Sequence, residues 1–306
     1  MMQFPAAMKK LHGLLFVTVV ALIAAPSGGA YGWPVKPFQH PHAIRASFGD
    51  PRFHSGEGSQ VSAFHFGVDV VARDGTAVYA VEPGWVIRRH ATSVTIGRSN
   101  GRRFGYWHIR PVVRSGTYVH LHQLIGHIIK GWGHVHLAES IRGHYRDPLR
   151  KGALTPFVDH TLPTVDAVLL LDPEGAPVNS AAARGSVSVV AEAFDTPPIL
   201  PPAPWDVARL APASVTWQLI DDTGAALASG VSVSFTNGLP DSSLYNFVYA
   251  LGTYQNKPHR PGSYRYWIVH DFDTTAYPNA HYRLEIDATD TRGNRGTATV
   301  DLTIAN

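Results

Sequence analysis

Apolar residues alternate with polar ones in short runs along most of this chain, and Gly, Pro, Asn and Asp separate the runs. Thr76-Ala77-Val78-Tyr79-Ala80-Val81, Trp85-Val86-Ile87, Val94-Thr95-Ile96 and Tyr106-Trp107-His108-Ile109 are such runs, with Asp74-Gly75 and Pro83-Gly84 as turns. β-Branched and aromatic residues at period two suit a pleated strand with one buried face. Ala46 to Arg52 reads as a short strand entering a turn, and Val119 to Ile129 as a strand with a turn at Leu124-Ile125-Gly126. Asp147-Pro148 and Thr155-Pro156 then break regular structure. A second series starts near Val165, with strands expected at Ser186–Ala191, Ser214–Ile220, Val231–Phe235, Tyr264–His270, Tyr282–Ala288 and Thr297–Ile304.

The pattern predicts an all-β chain: an antiparallel β domain over residues 31–159, then a β-sandwich over residues 160–306. Some seven short strands, with Asn279-Ala280-His281-Tyr282 resembling a tyrosine corner, suggest that the sandwich is immunoglobulin-like. Pro197 to Pro204 reads as a long loop within it. Residues 1–30 read as a secretory signal peptide. Lys9 and Lys10 precede an apolar run, Leu14 to Ala25, and small residues end in Gly28-Gly29-Ala30. The run is short for a membrane span, which needs about 20 residues. A secreted, periplasmic or wall-associated protein follows, with no stable membrane insertion after cleavage.

Composition narrows the chemistry. The chain has no cysteine, which removes disulfides, thiol nucleophiles and Cys-bound zinc. A net charge of +3 without a dense Lys/Arg run gives no nucleic-acid footprint. Arg88-Arg89 and Arg102-Arg103 read as solvated faces. With 17 histidines, a single His says little, and only spacing and context count.

Two stretches stand out by that measure. His65 and Asp69 lie four residues apart around Gly67, and His134-Val135-His136 follows downstream. Imidazoles and a carboxylate form a ligand set for a divalent metal, zinc above all. Four extended residues span about 13 Å, so the backbone between His65 and Asp69 must bend, and Gly67 permits it. Residues i and i+2 of a strand share a face, so His134 and His136 point the same way. Spacing alone leaves open which of them ligates. His120-Leu121-His122 is a rival pair with a surface or rim role expected.

In sequence order, Phe48-Gly49-Asp50-Pro51-Arg52, His65-Phe66-Gly67-Val68-Asp69, Gly75-Thr76-Ala77-Val78-Tyr79-Ala80, Gly84-Trp85-Val86, Tyr106-Trp107-His108-Ile109, Gln123-Leu124-Ile125-Gly126 and His134-Val135-His136 resemble the motifs of the lysostaphin-type (LytM-like) zinc metallopeptidases. Those enzymes cut peptide bonds in peptidoglycan. The resemblance spans residues 46–139 and says nothing about residues 160–306. It implies a zinc ion held by His65, Asp69 and His136, with His134 and His108 as catalytic histidines and peptidoglycan peptides as substrate. A non-catalytic relative acting as a wall-binding or regulatory module is the alternative. The family usually has an acidic residue two positions after the H-x-H pair; here Ala138 stands there and Glu139 follows, a candidate partner for a ligand His. Trp85, Trp107 and Trp132 are expected in the core or lining a groove, and His40 or His42 could cap the open metal position.

Overall fold

The computed structural model describes residues 29–56 and 59–306, so the expected signal peptide lies outside it except for Gly29 and Ala30. The strands before residue 150 are β1 (Ile44–Ala46), β2 (Pro51–Gly56), β3 (Ser59–Phe64), β4 (Val68–Val71), β5 (Ala77–Tyr79), β6 (Gly84–Arg89) and β7 (Ser93–Gly97). They continue as β8 (Arg102–Trp107), β9 (Ile109–Pro111), β10 (Tyr118–Val119), β11 (Leu124–Ile128), β12 (His134–Ile141) and β13 (His144–Arg146). A large antiparallel sheet runs β1-β4-β12-β8-β7-β6-β10, with β13 on β12, and β5-β11-β9 form a smaller one.

Alternation gives the large sheet two unlike faces. Val68, Val70, Val86, Val94, Ile96, Phe104, Tyr106, Val135 and Leu137 fill the core on one side. The intervening residues, including Asp69, His136, Ala138, Gly105, Trp107, Thr95 and Trp85, therefore share the other face. The three tryptophans keep out of the core: Trp85 is 54% exposed and Trp132 44%.

One expected strand is split. Tyr106 to Ile109 does not run straight, because His108 takes φ = +64° and turns the chain from β8 in the large sheet to β9 in the small one. A left-handed backbone at a residue with a β-carbon is uncommon and often marks a functional position.

The later strands are β14 (Thr164–Leu171), β15 (Pro177–Val178), β16 (Ser186–Phe194), β17 (Ser214–Asp221), β18 (Ala226–Ser234), β19 (Arg265–Asp273), β20 (Ala280–Thr289) and β21 (Arg295–Ile304). They form two four-stranded sheets, β15-β14-β16-β19 and β18-β17-β20-β21. Val189, Ala191 and Ile268 of one and Val215, Leu284 and Ile286 of the other share a single core, which makes the pair a sandwich. The Tyr282 hydroxyl donates to the Pro278 carbonyl at 2.8 Å, the contact that a tyrosine corner makes. A one-turn helix, α1 (Tyr245–Val248), has no counterpart in the sequence expectations.

The sandwich core also takes in Phe48 and Phe64 from the earlier part of the chain. Gly49, at φ = +90°, lies where a β-carbon would come within 2.5 Å of the Phe235 ring. Asp50 is fully buried beside it, accepting from Ala211 N (2.7 Å), Ser47 Oγ (2.8 Å) and the Tyr264 hydroxyl (3.2 Å). Burial pushes its pKa up to about 6, and the Arg52 guanidinium with the Ala211 and Ser47 donors opposes the push. The Phe-Gly-Asp stretch is thus a plug between the large sheet and the sandwich. Among the described residues no helix is long and apolar enough to cross a membrane.

Candidate metal centre and its cleft

The centre forms where the β3–β4 connection meets β12. His65 follows β3 directly, and its backbone is pinned on both sides: its N–H donates to the Asp50 carbonyl and its carbonyl accepts from Gly49 N, each at 2.8 Å. Phe66 and Gly67 turn the chain, and Asp69 then stands on β4 directly opposite His136 of β12. The bend does not use a left-handed glycine. Gly67 is needed for lack of a side chain: a β-carbon there would lie 2.3 Å from the Leu137 carbonyl oxygen and 2.8 Å from His136 Nε2.

Three donor atoms converge. His65 Nε2 lies 2.7 Å from His136 Nδ1, and each lies 3.1 Å from Asp69 Oδ1. Donors on one tetrahedral zinc, with bonds of 2.0–2.1 Å, sit about 3.3 Å apart. The group fits a metal ion with a small outward adjustment. His65 Nδ1 donates to the Ser47 carbonyl at 2.8 Å, which leaves the Nε2 lone pair turned to the centre. His136 is fixed by packing: its ring meets Phe66 and Trp107 edge to face, with centroids at 4.6 and 5.1 Å. Its Nε2 is buried and without a hydrogen-bond partner.

The other two predicted histidines lie beside the centre. His134 Nδ1 donates to the Trp132 carbonyl at 2.7 Å, so its Nε2 carries the lone pair, 3.5 Å from Asp69 Oδ1. The His108 ring centroid is 4.6 Å from that of His134, and His108 stacks on Trp132 at 3.6 Å. Its kinked backbone puts it there. Burial takes the pKa of His65 and of His108 down to about 3 and that of His134 to about 4; the neighbouring Arg52, His134 and Arg45, respectively, push the same way. Burial alone would raise the Asp69 carboxyl. The adjacent His134 and His65, with hydrogen bonds from His136 and His65, outweigh it and hold Asp69 well below the usual range. At neutral pH His65, His108 and His134 are therefore neutral imidazoles beside the Asp69 carboxylate, the forms that suit metal binding.

Two arginines also belong to the site: Arg52, noted in the sequence only as part of the Phe48–Arg52 motif, and Arg45, which no motif marks. Arg52 donates to Asp69 Oδ2 at 3.3 Å, and Arg45 lies 3.3 Å from His134 Nε2. They border a cleft of about 350 Å³ together with His108, His134, Trp205 and Asn256. Residues 205 and 256 come from the sandwich, far away in sequence, and no local motif points to them.

Glu139 is not a partner of the centre. It stands an odd number of residues after His136 and so faces the core, fully buried, where it accepts from Tyr31, Arg102 and Arg150. His122 stacks on Phe38 at 3.8 Å and His120 meets Tyr118, both in the turn before β11. His42 contacts the Pro37 carbonyl and Trp33, and neither it nor His40 lines the cleft.

No protein-family model matches the chain, and no curated protein does. Solved structures do. A zinc-containing peptidase from Vibrio cholerae matches at 23% identity over 40% of this chain and 40% of its own, with a TM-score of 0.33. Csd3 of Helicobacter pylori matches at 24% identity over 42% and 36%, TM-score 0.33. The catalytic domain of the prophage-encoded M23 protein EnpA of Enterococcus faecalis matches at 23% identity over 36% and 88%, TM-score 0.28. This chain thus covers well under half the length of the first two. The likeness is partial, and the chemistry has to be read from the side chains.

Proposed function

We propose that the chain is an exported zinc metalloendopeptidase that hydrolyses peptide bonds in peptidoglycan. The observation that carries this is the convergence of His65 Nε2, Asp69 Oδ1 and His136 Nδ1, with His134 and His108 beside them. Three protein donors leave a fourth position open, the arrangement of a catalytic rather than a structural site. When bound, zinc supplies a Lewis acid for the scissile carbonyl and makes a water acidic near neutral pH. His134 is neutral, and its Nδ1–H is committed to the Trp132 carbonyl. Its Nε2 can accept the proton of the attacking water and return it to the leaving amine. His108, oriented by the Trp132 stack, has an N–H to offer the developing oxyanion. The two roles can also be exchanged.

An extended substrate needs a groove, and the open sheet face supplies one. Gly105, Thr95, Ala138 and Ser140 leave its floor low, and Trp107 and Tyr145 line it. Gly105 is needed for this, since a β-carbon there would come within 2.2 Å of the Trp107 ring. Export follows from residues 1–30.

The test is release of new amino termini from purified peptidoglycan. We expect release to stop with a chelator, return with zinc, and fall at least 100-fold in His134→Ala, within the range for loss of a general base, about 10²–10⁴. Release that ignores both chelator and substitution would overturn the proposal.

A further inference from the structure

The cleft wall opposite the metal ligands is built by the sandwich, from two of its loops. The Pro-rich segment ends at Trp205, and its Pro204 carbonyl accepts from His259 N at 2.7 Å, which ties it to the second loop. In that loop Gln255 Oε1 accepts from Phe53 N at 2.9 Å. Asn256 is buried and fully used: Oδ1 accepts from Arg209 N and Gly262 N, and Nδ2 donates to the Arg209 carbonyl at 2.7 Å and the Arg45 carbonyl at 3.3 Å. Both loops are therefore locked to β1 and β2.

On this wall the Arg45 guanidinium lies over the Trp205 ring, 4.0 Å from its centroid. Stacking fixes the plane of the guanidinium and directs its in-plane N–H groups away from the Trp205 ring. Those groups point into the cleft, with Nη2 3.3 Å from His134 Nε2 and Nε 3.9 Å from Asp69 Oδ2. Asp69 is shared, because Arg52 holds the same Oδ2 at 3.3 Å. Asp50, the other carboxyl near Arg52, lies 3.7 Å from Arg52 Nη1 and also accepts from Ala211, Ser47 and Tyr264. Two carboxylates thus balance two guanidiniums, and a bound divalent cation would tip the cleft positive. The Arg45 side chain is only 13% exposed, so water screens it little. A planar donor fork in a partly dry cleft, beside a bound cation, is suited to a carboxylate.

We propose that Arg45, held on Trp205, is the docking group for a substrate carboxylate, so that the cleft selects peptides carrying a free carboxylate beside the bond that is cut. The proposal rests on the peptidase reading above. It makes the sandwich part of the substrate site, with Trp205 and Asn256 as positioning residues.

The probes are the stem peptide L-Ala–γ-D-Glu–L-Lys–D-Ala and its fully amidated form, titrated calorimetrically into the full zinc-loaded chain, with turnover measured in parallel. The acid should bind at least about tenfold tighter than the amide, the effect of one good charged hydrogen bond. Arg45→Gln should weaken binding of the acid alone, bringing acid and amide within about twofold in affinity. Trp205→Ala should fall between, and Arg45→Lys should restore part of the preference. Melting curves and zinc content matching the wild type qualify each variant. Equal binding of acid and amide by the wild type overturns the proposal. So does an Arg45→Gln variant that loses kcat on both forms while keeping the preference, which would make Arg45 an oxyanion donor. Preferential acid binding without any release from peptidoglycan would instead leave Arg45 in its role and remove the peptidase reading.

Discussion

Gly67→Ala is a one-carbon perturbation aimed at the centre. The added β-carbon would sit 2.3 Å from the Leu137 carbonyl oxygen, 2.8 Å from His136 Nε2 and 2.9 Å from His136 Cε1. Ordinary contact begins at 3.4 Å, so the backbone of β12 or of the β3–β4 turn must give by about 1 Å. A clash with backbone cannot be relieved by rotating a side chain, and such overpacking costs roughly 1–3 kcal/mol. Metal sites tolerate about 0.5 Å of misplacement, so a shift of that size should also weaken zinc binding by about 10–100-fold. Gly75→Ala is the control. Gly75 has φ = +78° with nothing within 4 Å of its β-carbon, so alanine there brings backbone strain of about 1 kcal/mol far from the ligands. Thermal melting and zinc competition against a chromophoric chelator separate the two. Both variants should melt lower, and only Gly67→Ala should lose zinc affinity. A Gly67→Ala variant that holds zinc as the wild type does would refute the steric argument.

Further outcomes follow from other parts of the molecule. His120→Ala combined with His122→Ala should leave zinc content unchanged, and loss of zinc there would show that the wrong H-x-H pair has been assigned. His108→Ala should keep zinc while slowing turnover at least tenfold, and a variant with unimpaired turnover would remove His108 from the chemistry. Asp195 is 3% exposed, and its carboxyl lies within 4.8 Å of those of Asp159 and Asp290. Burial, with those two charges, raises its pKa from 3.8 to about 7. The unfolded chain ionises first, so stability from the protonated form is full below pH 3.8 and drains away as pH rises to about 7. Asp195→Asn should therefore stabilise at pH 8, by a ceiling on the order of 4 kcal/mol, with the gain vanishing near pH 4. Denaturant titrations at both pH values check this, and an equal gain at both would contradict it.

The strands and the pairing of Asp69 with His136 on one sheet face were legible because both rest on short-range rules. Period-two alternation marks Val68, Val70, Val86 and Ile96 as core and sends Asp69, His136 and Trp85 to the other face. The same rule, applied to Glu139, would have excluded it from the centre, since an odd offset from His136 reverses the face. The His108 kink was not legible: nothing in Tyr106-Trp107-His108-Ile109 distinguishes a strand from a crossing between two sheets. Gly67 was identified as necessary, but for backbone freedom; the close approach of Leu137 and His136 that makes it necessary involves residues 70 and 69 positions away. Arg45 and Trp205 were beyond reach for the same reason, because a cation–π pair between β1 and a sandwich loop leaves no local pattern. Phe48-Gly49-Asp50 was singled out by resemblance alone, and its place in the sandwich core depends on Phe235, Tyr249 and Tyr264.

Metal content of the chain over residues 31–306 tests the central claim most directly, with His136→Ala beside it and peptidoglycan release recorded on the same samples. The expected result is close to one zinc per chain in the wild type, lost in His136→Ala together with release of wall fragments. Zinc absent from both proteins, or retained in full by His136→Ala, would mean that His65, Asp69 and His136 do not form the site.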